Sequence, residues 1–196
     1  MTTTRKVIGV NEAKNLKHVP GQPDMWFFVF FESLIFTSYF CVYLFFRTQH
    51  EKAFLHAQSH LLLWLGVFET ILLLTSSWTV ARSVQHARSR RHQAAIRDAS
   101  LTALLGLVFL VLKIVEWVRL IHMGYTFSSH DFFQYYFFLT AIHCVHLLIG
   151  FVVLGVLLHQ LAGTRRSQET VETCATYWHT VDFFWVLIFA LLYVVR

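Results

Sequence analysis

Three pairs of ionisable residues stand three positions apart inside apolar stretches: Lys113 with Glu116, His143 with His146, and His179 with Asp182. An i, i+3 spacing puts both members of a pair on one helix face. Two further carboxylates, Glu32 and Glu69, lie among phenylalanines and leucines. Such groups could relay protons, ligate a metal or fasten helices to one another. Lipid satisfies none of them, and a charged side chain at mid-bilayer costs roughly 2.5–3.5 kcal/mol on insertion scales. Their partners must therefore come from protein.

Each candidate has a plainer reading beside the chemical one. Glu32 and Glu69 read either as proton relays or as neutral hydrogen-bond donors. Lys113–Glu116 reads as an ion pair within one helix or as a pair reaching toward the outer interface. His143 and His146 read as interhelical hydrogen-bond partners ahead of metal ligands. Thr75, Ser76 and Ser77 fit back-bonding to their own helix or a bond to a neighbour. Trp26, Trp64, Trp178 and Tyr193 fit interfacial anchors. No Glu-x-x-His pair of the di-iron type occurs, and two histidines on different helices at one depth, as a bis-histidine haem requires, are not evident. No metal or haem is expected in this chain. Cys41, Cys144 and Cys174 are an odd set in apolar surroundings and read as packing thiols.

The elements that carry these residues must be membrane helices. The chain has 196 residues, of which 56% are hydrophobic and 14% charged; a soluble domain carries about 25% charged residues. Five stretches reach the roughly 20 apolar residues that span a bilayer: Met25–Phe46, His60–Ala81, Leu101–Met123, Tyr135–His159 and Thr176–Val195. They are too long for barrel strands and do not alternate. The fold class is all-α: a polytopic bundle of five transmembrane helices, in which backbone groups are satisfied within each helix. Residues 1–24 form a polar tail with Arg5, Lys6, Lys14 and Lys17 and no apolar signal-peptide core; residues 25–196 form the membrane domain.

Basic residues set the orientation. With the tail, the segment after span two and the segment after span four on one side, eleven Lys and Arg lie there against four opposite. The positive-inside rule then puts the N-terminus in the cytoplasm and the C-terminus outside. The net charge of +5 is accounted for by this bias and implies no nucleic acid partner. A rise of about 1.5 Å per residue then predicts two polar layers: Glu32 with His179 and Asp182 toward the inside, Glu116 with His143 and His146 toward the outside, and Glu69 near the middle.

Five segments together resemble subunit III of the haem–copper oxidases, over about residues 22 to 196. Trp26-Phe27-Phe28-Val29-Phe30-Phe31-Glu32-Ser33-Leu34-Ile35-Phe36 is similar to that family's helix with an intramembrane glutamate. Thr70-Ile71-Leu72-Leu73-Leu74-Thr75-Ser76-Ser77 resembles its T-L-L-L-x-S-S helix, and Glu116-Trp117 sits where the family has Glu before an aromatic. Thr140-Ala141-Ile142-His143-Cys144-Val145-His146-Leu147-Leu148-Ile149-Gly150 resembles T-G-x-H-x-x-H-x-x-x-G. Tyr177-Trp178-His179-Thr180-Val181-Asp182-Phe183-Phe184-Trp185 resembles Y-W-H-F-V-D-x-x-W. Pro23-Asp24-Met25-Trp26, Leu74-Thr75-Ser76-Ser77-Trp78-Thr79-Val80-Ala81 and Tyr136-Phe137-Phe138-Leu139-Thr140 look closest to the five-helix branch associated with nitric oxide reductase. Three positions depart from the family: Glu69 replaces a common Asn, Thr180 an aromatic, and Ala141 a Gly.

The resemblance implies a non-catalytic accessory subunit of a haem–copper oxidase or nitric oxide reductase in a bacterial plasma membrane. Its implied partners are the catalytic subunit I, which would hold haem with copper or iron, and membrane lipids, with bound phospholipid among them. It implies support of assembly, stability and proton uptake. Glu32, Glu116, His143, His146, His179 and Asp182 would then be structural or proton-related positions. Glu69 joins them from the residue reading alone. The alternative is a small proton-coupled transporter or channel using Glu32 and Glu69; transporters are expected to show inverted repeats or helices broken by Gly and Pro, and no proline lies in any span. A cytochrome b-like membrane enzyme is the third reading.

Overall fold

The protein's computed structural model describes residues 23–127, 129, 131–163 and 167–195. The predicted tail lies almost entirely outside this range, as do Arg165, Arg166 and Arg196 from the basic-residue count. The described chain forms α1 (Pro23–Gln49), α2 (Glu51–Gln58), α3 (Leu63–Arg88), α4 (His92–His122), α5 (Asp131–Ala162) and α6 (Gln168–Phe189), closed by one π-helical turn over Ala190–Val194. Five of these helices, all but α2, are long and apolar enough to cross a membrane. No strand occurs among the described residues.

Local chemistry explains the ends. Pro23 opens α1 at the first helical position, where its missing N–H is no loss. Ser167 caps α6 by accepting from the Thr170 N–H. The α3–α4 hairpin turns on Arg90, at φ 57°, with the Arg91 N–H donating to the His86 carbonyl. Gly124, at φ 88°, closes α4 in the same way, with Tyr125 N–H donating to the Leu120 carbonyl.

α3, α4, α5 and α6 pack into a closed ring in which each touches the next and α6 returns to α3. In the most apolar eighteen residues of α6, 56% are buried; in α1 the share is 11%. α6 is therefore the axial helix, and α1 lies on its flank, with α2 packed against α5. Gln58 of α2 donates to the carbonyls of Leu192 and Val195 (3.1 and 3.0 Å), satisfying acceptors at the widened end of α6.

Two expectations change. The basic stretch after span two is mostly helix: Arg82 and Arg88 lie in α3, and Arg97 lies in α4, which starts at His92 rather than Leu101. Polar residues extend the helices past the apolar core because Arg82 and His86 pair with the buried Asp98 (both 3.4 Å) and Arg88 pairs with Glu172 (2.9 Å). Trp26 and Trp64 are exposed as interfacial rings, but Trp178 and Tyr193 are buried. Trp178 fills a socket between Gly106 and Gly150, where a Cβ would stand 2.9 and 3.0 Å from the indole, and its Nε1–H donates to Ser76 Oγ.

Candidate functional site

The polar side chains gather into three centres. The largest lies near the end of the bundle that holds Leu63, His122, Asp131 and Val194. Lys113 Nζ from α4 stands 2.7 Å from Glu69 Oε2 of α3 and 2.6 Å from Glu116 Oε2 one turn along its own helix; all three side chains have no exposed surface. Tyr136 OH from α5 and Tyr193 OH from the terminal turn both donate to Glu116 Oε2 at 2.7 Å. Lys113 also donates to Tyr193 OH and lies 4.5 Å from the centre of the Trp185 ring. Four elements thus meet at one ammonium. The sequence reading paired Lys113 with Glu116 but placed Glu69 at mid-depth on its own. Because α3 starts at Leu63 rather than His60 and α4 runs to His122, Glu69 comes level with both.

The second centre fastens α1. His146 Nδ1–H donates to the Ile142 carbonyl, and Nε2 lies 3.0 Å from Glu32 Oε2. A carbonyl accepts only, so Nδ1 carries a hydrogen, and one proton bridges Nε2 and the Glu32 carboxyl. The pair is partly open, with 17% of the His146 and 14% of the Glu32 side chain exposed. Phe36 stacks on Phe184 of α6 at 4.3 Å and meets His146 edge-on beside it.

The third centre joins α3 to α6. Ser77 Oγ and His179 Nδ1 are 2.6 Å apart; Asp182, three residues further along α6, is buried with neither carboxyl oxygen hydrogen-bonded among the described residues. Nearby, Ser76 links α3 to both the Thr102 carbonyl and Trp178, and Trp185 Nε1–H donates to Thr70 Oγ1 (3.1 Å). Of the Thr75-Ser76-Ser77 run, Thr75 bonds back to Ile71 while the two serines bridge helices.

This corrects the two-layer expectation. Glu32 pairs with His146, with no hydrogen bond or ion pair to His179 or Asp182, and Glu116 pairs with Lys113 and two tyrosines, with none to His143 or His146. His143 is fully buried against Phe109 and Trp185, and neither ring nitrogen has a hydrogen-bond partner among the described residues. Sequence reasoning also missed Tyr136, Tyr193 and Asp98 as polar-centre residues. The signal for Asp98 was present: Ala95, Asp98, Ala99, Thr102, Gly106, Phe109, Lys113, Glu116 and Leu120 form one buried stripe of three- and four-residue steps. Among the described residues, no three His, Cys, Asp or Glu side chains converge as a metal site.

The architecture defines a multi-pass membrane protein whose buried polar groups are used between helices. Residues 20–195 match the family described as cytochrome c oxidase subunit III, and the chain belongs to that family, the non-catalytic accessory subunits of haem–copper oxidases. It is 28% identical over 186 residues to cytochrome c oxidase subunit 3 of Thermostichus vulcanus, covering 90% of each chain. It is 30% identical over 182 residues to the subunit of that name in Synechocystis sp., covering 88% of this chain and 77% of the relative. It is 29% identical over 130 residues to cytochrome bo(3) ubiquinol oxidase subunit 3 of Buchnera aphidicola, covering 65% of this chain. That last match spans 63% of the relative's own length.

Proposed function

We propose that this chain is the accessory subunit that packs against catalytic subunit I of a respiratory haem–copper complex in a bacterial plasma membrane, with its N-terminus cytoplasmic. The redox groups, haem with copper or iron, belong to that partner, and phospholipid fills gaps along the shared face. One observation carries this reading: Glu69 pairs with Lys113 and Glu32 with His146 across helices, and His179 bonds Ser77 of a neighbouring helix, so these groups build a rigid body instead of lining an open path. Glu32, Glu69, Glu116, His143, His146, His179 and Asp182 are in this reading structural or proton-related positions of the accessory chain. The names of the relatives include both cytochrome c and quinol oxidases, and either electron donor suits an accessory chain.

The test is purification of a tagged copy from native membranes in mild detergent. A haem-bearing catalytic chain should copurify. The identity of that chain separates an oxidase from a nitric oxide reductase, the branch favoured by the wording around Trp26, Trp78 and Tyr136. A chain that purifies alone and moves a proton gradient in vesicles would support the transporter reading instead.

A further inference from the structure

Glu69, Lys113 and Glu116 place two carboxyl groups on one ammonium, out of reach of solvent. With both carboxyls ionised, the centre would hold an unbalanced charge in the least polarisable part of the fold, which buried ion pairs do not tolerate. The surrounding groups do not supply a second cation. The titratable neighbours are Tyr136, His143 and Cys144 on α5 and Tyr193 on the terminal turn. Tyrosine and cysteine add no positive charge. His143 has no acceptor at either nitrogen, so an imidazolium there would leave two donors unmet.

The donors separate the two acids. Lys113, Tyr136 and Tyr193 converge on Glu116 Oε2, which leaves no place for a hydrogen on that oxygen. Glu69 faces Lys113 through Oε2 alone; the Oε1 atoms of both acids have no hydrogen-bond partner among the described residues, so it is the three donors on Glu116 against one on Glu69 that favour the ionised form at Glu116.

We infer that this centre is a single-proton binding site, with the proton on Glu69 and with Lys113 and Glu116 as the ion pair beside it. Binding converts the Glu69 carboxylate and one proton to the carboxylic acid, and no other bond changes. The site goes beyond the accessory role proposed above and is independent of which catalytic chain is the partner.

Infrared difference spectroscopy on the intact purified complex tests it. The spectrum of the wild-type complex minus that of Glu69→Gln should contain a carboxylic C=O band that shifts down in D2O and again on carboxyl-13C glutamate labelling. The band should persist in Glu32→Gln. Glu116→Gln also matches one acid to one base, and it should remove the same band because Glu69 then ionises against Lys113. Glu69→Asp, which keeps an acid at that position, separates Glu69 from Glu116 and serves if Glu69→Gln fails to assemble: its band should no longer respond to the glutamate label, whereas the band of Glu116→Asp should still do so. Absence of a labelled C=O band in both glutamine differences, or a band that survives in both glutamine variants, overturns the assignment and leaves the balancing proton on another group.

Discussion

Lys113 is the residue on which the bundle's polar interior turns. Removing one partner of a buried ion pair costs roughly 3–5 kcal/mol, because the other charge is left stranded. Lys113→Met strands the Glu116 carboxylate and removes the cation facing Glu69, so it should lower the apparent Tm of the purified complex sharply and reduce recovery of this chain with its partner. An unchanged Tm would mean the ammonium is not what balances Glu116. Tyr193→Phe removes one of the donors to Glu116 Oε2 and should cost about 1–3 kcal/mol in the same measurement. His143 behaves oppositely. It is buried between Phe109 and Trp185 without a hydrogen-bond partner among the described residues, so His143→Leu, a swap to an apolar side chain of similar size, should stay within about 1.5 kcal/mol of wild type.

At the level of helices, the same contacts divide the fold into a tight ring and a loosely held flank. α1 is held by the Glu32–His146 pair and a stacked Phe36–Phe184 contact, and its surface is otherwise largely open, with Phe27, Phe30 and Phe45 well exposed. Glu32→Ala should therefore raise hydrogen exchange along residues 23–49 while protection of α3–α6 stays as it is; a uniform rise would show α1 to be integral to the ring. Within the ring, Trp178 depends on two glycines. Gly150→Ala would put a Cβ 3.0 Å from the indole and should cost about 1–3 kcal/mol by overpacking. Gly155→Ala, with nothing within 4 Å of its Cβ, should be neutral or stabilise by about 0.5–1 kcal/mol. A thermal melt of the two variants side by side checks the contrast. The glycines were visible in the sequence, but their role was not, because nothing along the chain says that Trp178 faces inward while Trp64 faces out. Trp178 follows the three- and four-residue steps of the buried α6 face through Val171, Cys174, Val181 and Trp185, and that periodicity, rather than its place near a span's start, was the better guide.

For the whole molecule, the number of spans and the helical class were legible because they depend on apolar length, which lipid enforces residue by residue. The pairing of polar groups across helices was not, because it depends on relative depth. An error of one helical turn at a span's start moves every residue in it by about 5.4 Å. Helices running in opposite senses shift apart in opposite directions. That is why Glu69 dropped out of the Lys113 centre and why His146 was grouped with Glu116 instead of Glu32. The orientation has the opposite character: it needs no depth, only which end of the bundle carries the bases. Arg82, Arg88, Arg90, Arg91 and Arg97 all lie about the α3–α4 hairpin, and basic residues near span ends are retained on the cytoplasmic side. On that rule we propose that the connection from α4 to α5, which contains the exposed Phe127, faces outward. Single-cysteine variants Gln93→Cys and Phe127→Cys, made with Cys41 replaced because it too is exposed, settle this in spheroplasts with a membrane-impermeant maleimide. Phe127→Cys should label in intact spheroplasts and Gln93→Cys only after lysis. Labelling in the reverse pattern would invert the molecule and place the Glu69–Lys113–Glu116 centre toward the cytoplasm instead of the outer face.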